Sequence, residues 1–241
     1  MPSDIIDENP TTSSADLAPV AGSRRLARLI WQVVAAAVIV LIVRALLMDS
    51  FYASSGSMEP GIAPGDRLLV SRLYSEDDLH RGDLIVFDGT TVFGGPDRSP
   101  PQASGIVGDA LHGIARAVGV DLGEKDYLKR IVGIPGDRVT CCTAAGRLSV
   151  NGVEVSEPYL PSGMVASQSP FDVRVPMGKV FVLGDNRADS ADSRAHLGDP
   201  GGGMVPVGEI LGEATFRYWP AAQGGPLPST DVFSDIPEAT S

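Results

Sequence analysis

Polar and apolar positions divide the chain into distinct stretches. Residues 1–22 are rich in Ser, Thr, Asp and Pro and hold few large apolar side chains. Such a segment cannot bury enough apolar surface to offset the entropy of ordering, so disorder is expected. Arg24, Arg25 and Arg28 follow, which makes 1–28 a tail with a basic end. Residues 29–48 are almost uninterruptedly apolar; as a helix these 20 residues would span about 30 Å, the thickness of a bilayer core. Gln32 and Arg44 are its strongly polar members, and Arg44 is close enough to the outer end to snorkel to the headgroups. Beyond residue 49 the runs shorten and become rich in β-branched residues: Arg67–Arg72, Leu84–Phe87, Leu128–Val132, Arg138–Cys142, Leu148–Val150, Val180–Leu183 and Glu209–Trp219. Gly-Asp, Pro-Gly-Asp and Asn151-Gly152 separate them, and Asn-Gly between two valines is a strong hairpin signal. This pattern predicts a mainly β, antiparallel domain over residues 49–219. Val107, Leu111, Ile114 and Val118 are at helical spacing and predict one helix over 106–118, within an insert at 88–126. Residues 88–104 read as a surface loop, and 220–241 as a loose tail.

The 29–48 stretch admits two readings. A cleavable leader has a shorter apolar region and ends in a small-x-small site. Here the run is longer and Asp49-Ser50-Phe51-Tyr52 follows, which favours an uncleaved transmembrane helix. Three arginines before it and Asp49 after it place the N-terminus in the cytoplasm and the β domain outside. No second apolar run of spanning length appears, so a single-pass protein of the plasma membrane, in contact with lipid, is expected.

Charge narrows the partners. A net charge of −11 argues against nucleic acid, which requires a clustered basic face. The two cysteines, Cys141 and Cys142, are adjacent. Ordinary disulfide geometry needs better-separated Cα atoms, so they are expected as small strand residues pointing to opposite faces; a strained vicinal disulfide and an intermolecular bridge are the alternatives.

The candidate chemistry begins with Ser54-Ser-Gly-Ser-Met-Glu-Pro60, a serine-rich turn a few residues beyond the apolar run. A serine hydroxyl attacks only when a base takes its proton. His80 sits among charged turn residues, His112 falls off the apolar face of the expected helix, and His196 follows the polar loop as the one serious imidazole. No serine has a Gly-x-Ser-x-Gly or Gly-Asp-Ser-Gly frame, so a Ser-His-Asp triad has weak support. Lysine is the other base. The chain has 16 arginines but only three lysines, Lys125, Lys129 and Lys179. Arginine cannot deprotonate in a protein, whereas a desolvated lysine can. Lys125 is flanked by acids and Lys179 follows a turn. Lys129 lies in an apolar strand, where burial would lower its pKa; a lysine on the strand's solvent face is the plainer alternative. Asp185, Asp189, Asp192 and Asp199 lack a calcium-loop spacing and read as a salt-bridged loop with Arg187 and Arg194. No metal or cofactor is expected.

Several blocks, taken in order, resemble the bacterial type I signal peptidases, the leader peptidases of the Ser/Lys-dyad serine protease family. They are Ser55-Gly-Ser-Met-Glu-Pro60, Gly65-Asp-Arg-Leu-Leu-Val70, Arg81-Gly-Asp-Leu-Ile-Val-Phe87, Tyr127-Leu-Lys-Arg-Ile-Val-Gly-Ile-Pro-Gly-Asp137 and Gly184-Asp-Asn-Arg-Ala-Asp-Ser-Ala-Asp-Ser-Arg194. The likeness runs from about Leu29 to Trp219. It implies the family's β-sheet catalytic domain behind one transmembrane helix, and removal of signal peptides from secretory preproteins after small residues at −1 and −3. It implies Ser57 as nucleophile and Lys129 as general base. Ser55 and the Ser57 N–H would form the oxyanion hole, Ser190 would hold the Lys129 amine, and Asp192 with Arg194 would brace the loop. Phe51, Ala53, Met58, Ile62 and Leu128 would line the substrate groove, and a monomer is expected. Ser54 stands where many members have proline, and the 88–126 insert matches no block. Two other readings remain: a catalytically silent membrane-anchored β domain that binds exported proteins, and a trypsin-like protease using His196.

Overall fold

The structure is a computed structural model, and it describes residues 21–75, 78–93, 126–227 and 230–239. Most of the tail expected to be disordered and the helix expected over 106–118 lie outside the described residues. The chain forms two units, residues 1–43 and 44–241. Helix α1 (Ala21–Leu47) accounts for the described part of the first. Leu29, Ile30, Trp31, Val33, Ile39 and Val40 are all exposed. Among the described residues no helix is long and apolar enough to cross a membrane. The helix stops one residue short of the expected boundary: Met48 opens a strand, because its backbone is taken up by a ladder with Ser71.

The second unit is built from two antiparallel sheets. The larger contains β1 (Met48–Tyr52), β2 (Arg67–Ser71), β3 (Leu84–Asp88), β4 (Asp126–Gly133), β9 (Lys179–Leu183), β10 (Val205–Pro206), β11 (Ile210–Trp219) and β12 (Gly225–Pro226). Their order is β1-β2-β11-β3-β4-β9-β10, with β12 on β11. The smaller sheet holds β5 (Arg138–Cys141), β6 (Leu148–Val150), β7 (Val153–Glu154) and β8 (Phe171–Arg174), in the order β7-β6-β5-β8. One turn of helix, α2 (Gly89–Val92), follows β3 and is capped by the Asp88 carboxylate. The Asn-Gly hairpin forms between β6 and β7: Asn151 and Gly152 take φ of 52° and 82°, the left-handed pair that matches strand twist.

The apolar runs bury three clusters. Val132, Val139, Leu148, Val150, Phe181 and Leu183 fill one cluster shared by both sheets. Ile85, Phe87, Ile131, Val180 and Val182 fill another. Leu68, Val70, Leu84, Val86 and Leu128 pack with Phe51, Ala53, Met58 and Ile62 in the third, which underlies the candidate site. Asp137, fully buried at the turn from β4 to β5, ties the sheets together. Its carboxylate accepts two 2.7 Å bonds from Arg81 and one of 2.8 Å from Asn151.

Two expectations are corrected. The described residues of 220–241, expected as a loose tail, pack back on the domain: Phe233 and Ile236 are buried in the cluster shared by the sheets. The Ile236 and Pro237 carbonyls accept hydrogen bonds from Arg81 and Asn151. The polar composition concealed this because two apolar anchors and a few carbonyls suffice. Cys141 and Cys142 are not a free pair facing opposite ways. A cis peptide joins them, bringing their Cβ atoms to one side, and they form a vicinal disulfide.

Phe233→Ala should therefore destabilise the domain by about 3–4 kcal/mol, the usual result of emptying a buried aromatic site. Urea denaturation followed by tryptophan fluorescence measures it; an unchanged midpoint would return the segment to a loose tail.

Candidate active site

The serine turn is a closed excursion between β1 and β2. Ala53 N–H donates to the Asp66 carbonyl at 2.9 Å, and Gly65 N–H donates to the Ala53 carbonyl at 2.8 Å, so the two strands zip past their formal ends. Inside, Glu59 N–H bonds the Gly56 carbonyl and Ile62 N–H bonds the Met58 carbonyl. Arg217, from β11, donates to the Gly61 carbonyl and pairs with Asp66 at 3.2 Å. The turn is thereby fastened to the sheet, and Ser57 at its head is only 7% exposed. Ser55 Oγ donates to Ser57 Oγ at 3.2 Å. Among the described residues no acceptor takes the Ser57 N–H.

Lys129 comes from β4, 72 positions away, and its Nζ lies 2.8 Å from Ser57 Oγ. The Leu128 carbonyl accepts a second bond from it at 3.0 Å, and the Tyr127 ring centre is 5.4 Å away. The residue is 3% exposed. Burial pulls the ammonium pKa down to about 8, against the smaller opposing pull of the Asp192 and Asp185 charges. The amine is therefore available in neutral form within reach of physiological pH, a hydrogen-bond length from a hydroxyl.

The 184–194 loop forms the wall behind this pair. Asn186 N–H donates to the Ser57 carbonyl at 3.0 Å, and its side-chain amide to the Gly56 carbonyl at 3.1 Å. A Cβ on Gly184 would collide with Ser190 and with the Ser57 carbonyl, so only glycine permits this approach. Asp192, completely buried, accepts from Gly184 N–H at 3.0 Å and from Arg194 at 2.9 and 2.7 Å. Burial alone would raise its carboxyl pKa; the Arg194 guanidinium and the Gly184 N–H more than reverse this and hold it below the usual range. Asp185 accepts from Arg130 at 2.9 and 2.6 Å, with both side chains 3% exposed. Arg187 pairs with Glu157 at 2.5 Å and donates through Nε to the Gly184 carbonyl at 3.0 Å.

The expected site residues converge, with one departure. A cleft of about 320 Å³ is lined by Phe51, Ala53, Met58, Ile62 and Leu128, together with Ser55, Ser57 and Lys129. Ser54, Tyr127, Asp126, Asp189 and Ala191 complete it. Ser190 departs from the expectation. Its hydroxyl is buried and makes no hydrogen bond with Lys129 or with any other described group. The amine's bonds go instead to Ser57 and to its neighbour's carbonyl. His196 does not line the cleft; it stacks on Phe93 at 4.3 Å and bonds Asp199 at 2.7 Å. Arg130, Asn186 and Glu157 were missed by sequence reasoning. The loop acids were matched there with the loop's own arginines, but Asp185 and Arg187 find partners in β4 and beyond β7. The unusual tyrosine-lysine-arginine block was the only cue to Arg130.

A mainly β domain that presents a buried serine–lysine pair in a cleft walled by Phe51, Met58, Ile62 and Leu128 has the build of a serine endopeptidase. Residues 26–219 match the family model described as signal peptidase, peptidase S26. A signal peptidase I of Mycobacterium tuberculosis is 35% identical over 197 residues, covering 73% of this chain and 67% of that protein. One from Bacillus caldolyticus is 30% identical over 206 residues, covering 80% of this chain and 91% of its own length. A solved structure of a signal peptidase I from Enterococcus faecalis covers 57% of this chain and 97% of its own, at 24% identity and a TM-score of 0.36. The chain belongs to the signal peptidase family, peptidase S26, and is a serine endopeptidase of that family.

Burying the Lys129 amine has a stability consequence. Its folded pKa of about 8 lies below that of an exposed lysine, so the folded state opposes its protonation. The penalty is fully present below pH 8 and fades as the pH rises towards the unfolded value, about 10.4. Lys129→Met should accordingly stabilise the domain at pH 7 by about 3 kcal/mol, from roughly 1.4 kcal/mol per pKa unit. The gain should shrink steadily up to pH 10 in paired urea titrations. An equal gain at both pH values would show that the amine is not held in depressed form.

Proposed function

We propose that this chain is a membrane-anchored signal peptidase I that removes signal peptides from secretory preproteins through a Ser57–Lys129 dyad. The 2.8 Å approach of Lys129 Nζ to Ser57 Oγ, both lining the cleft, carries the reading. In this mechanism the neutral amine accepts the Ser57 proton as Oγ attacks the scissile carbonyl carbon. The resulting oxyanion accepts hydrogen bonds from the Ser57 N–H and the Ser55 hydroxyl, donors aimed where charge develops. The intermediate collapses to an ester, and the Lys129 ammonium gives its proton to the departing amine. A water molecule then loses a proton to Lys129 Nζ and attacks the ester carbonyl carbon; as the ester C–O bond breaks, Nζ returns that proton to Ser57 Oγ and the cleaved leader is freed. Asp192 and Arg194 brace the wall behind the dyad. Ser190 lies on that wall without a hydrogen bond to the amine.

Substrate preference follows from the lining. Ala53, Met58, Ile62, Leu128 and Phe51 make shallow apolar pockets suited to small side chains at −1 and −3. An extended peptide would run beside them as an added strand. The apolar stretch over 29–48 supports an anchor, with the basic N-terminal end in the cytoplasm and the β domain outside. The exposed apolar side chains of α1 are the surface that lipid would cover. Anchoring enzyme and leader in one plane raises their effective concentration.

Cleavage of a secretory precursor by the detergent-solubilised protein tests the dyad. The rate should rise with pH through a midpoint near 8, where Lys129 loses its proton. Ser57→Ala, Lys129→Ala and Lys129→Arg should each remove nearly all turnover at every pH, because guanidinium cannot serve as a base. His196→Ala should keep the rising limb. Substantial turnover by Lys129→Arg, or a limb lost only in His196→Ala, would defeat the dyad. Topology is tested separately: a reporter at Ser241 should be digested by protease added to intact spheroplasts, and a tag before Arg24 should be protected. The reverse pattern would overturn the orientation.

A further inference from the structure

The segment Glu157-Pro158-Tyr159 contributes nothing to the cleft lining or to the serine turn, yet it grips both arginines that frame the wall behind them. The Glu157 carboxylate accepts from Arg187 Nη1 at 3.0 Å and Nη2 at 2.5 Å, with the two side chains 3% and 2% exposed. Tyr159 Oη donates to the same carboxylate at 2.6 Å. The Tyr159 ring lies against the Arg130 guanidinium, 4.3 Å from its centre. Each arginine then reaches inward: Arg130 to both oxygens of Asp185, and Arg187 to the Gly184 carbonyl. The same stretch of chain adds the Ala166 carbonyl, which accepts from Arg187 and Arg194, and Met164 Sδ, which accepts from Arg187 N–H.

We propose that Glu157 and Tyr159 are positioning residues of the peptidase reaction: by fixing Arg187 and Arg130 they clamp Gly184–Asp192 against Ser57 and keep water from the Lys129 amine. The inference rests on the Ser57–Lys129 reading of the site. Its logic is electrostatic as well as steric. The charged groups facing Lys129 are Asp185 and Asp192, each already paired with an arginine. Those facing Glu157 are Arg187 and the Tyr159 hydroxyl, and Tyr159 in turn faces Arg130. Loosening the clamp lets the Gly184 wall withdraw and water reach the amine. Rehydration favours the ammonium, so the pKa of Lys129 rises towards that of a free lysine. The neutral fraction at pH 7.5 then falls, whereas at pH 10 most of it returns.

The test is kcat and KM between pH 6 and 10.5 for wild type, Glu157→Gln, Tyr159→Phe and Lys129→Arg, on full-length solubilised protein. Glu157→Gln should move the rising limb up by about one pH unit and lower kcat at pH 7.5 about tenfold, with KM nearly unchanged and most of the rate recovered at pH 10. Tyr159→Phe, which deletes one hydroxyl and leaves the ring on Arg130, should shift the limb the same way by less; it decides the matter alone should Glu157→Gln not fold. A structural role alone would lower the active fraction at every pH and leave the midpoint in place. A wild-type limb that vanishes in Lys129→Arg but is unmoved in Tyr159→Phe and Glu157→Gln overturns the positioning role and spares the dyad. A limb that persists in Lys129→Arg overturns both.

Discussion

The removal of one ammonium group from water is the constraint around which the domain is organised. Lys129 is buried against Ser57, and burial outweighs the attraction of two nearby carboxylates, leaving the amine titrating at about 8. Asp185 and Asp192 fail to win because neither offers a free charge. Each is held in two hydrogen bonds by its own arginine, so much of its field is cancelled at the lysine. A bare carboxylate at either position would favour the ammonium and lift its pKa. The arginines thus keep the wall negative enough to hydrogen-bond and neutral enough to leave the lysine weakly basic.

These pairs are better understood as geometry than as stabilisation. A buried ion pair contributes little net stability relative to an apolar replacement, but removing one partner is costly, on the order of 3–5 kcal/mol. Arg130–Asp185, Arg187–Glu157 and Arg194–Asp192 are all of this kind, with most of the side chains a few per cent exposed. The fork of each guanidinium fixes an angle as well as a distance. A lysine in any of these places would supply charge without orientation. That is consistent with a chain that holds 16 arginines and uses one of its three lysines as the buried amine.

Local pattern carried much of this arrangement. The β-branched runs and Gly-Asp turns marked β2, β3, β4, β5 and β9, and Asn151-Gly152 marked the hairpin, because strand and turn preferences act over a few residues. Lys129 stood out by the scarcity of lysine, and the resemblance of the blocks drew Ser57 and the groove residues together. What stayed hidden is long-range. Nothing local to Arg187 indicates that Glu157 will face it, and nothing in Arg130 names Asp185, 55 positions on. Ser190 was expected to bond the amine, but its buried hydroxyl makes no hydrogen bond with any described group. The vicinal disulfide stood only as an alternative to a free cysteine pair, and the packed tail escaped because two anchoring side chains leave no periodic trace.

The packed tail also sets the order in which the domain can be completed. Arg81 reaches the Ile236 carbonyl across 155 positions, and through Asp137 the same arginine joins the two sheets. A ribosome delivers the chain from its N-terminal end, so both sheets are exposed for some time before the last apolar anchors of their shared cluster exist. Closing so long a loop is slow relative to forming local hairpins. Strands paired without Phe233 and Ile236 would leave the cluster between the sheets unfilled. Completion of this core therefore waits on Phe233 and Ile236, which lie far along the chain from the residues that form the cleft.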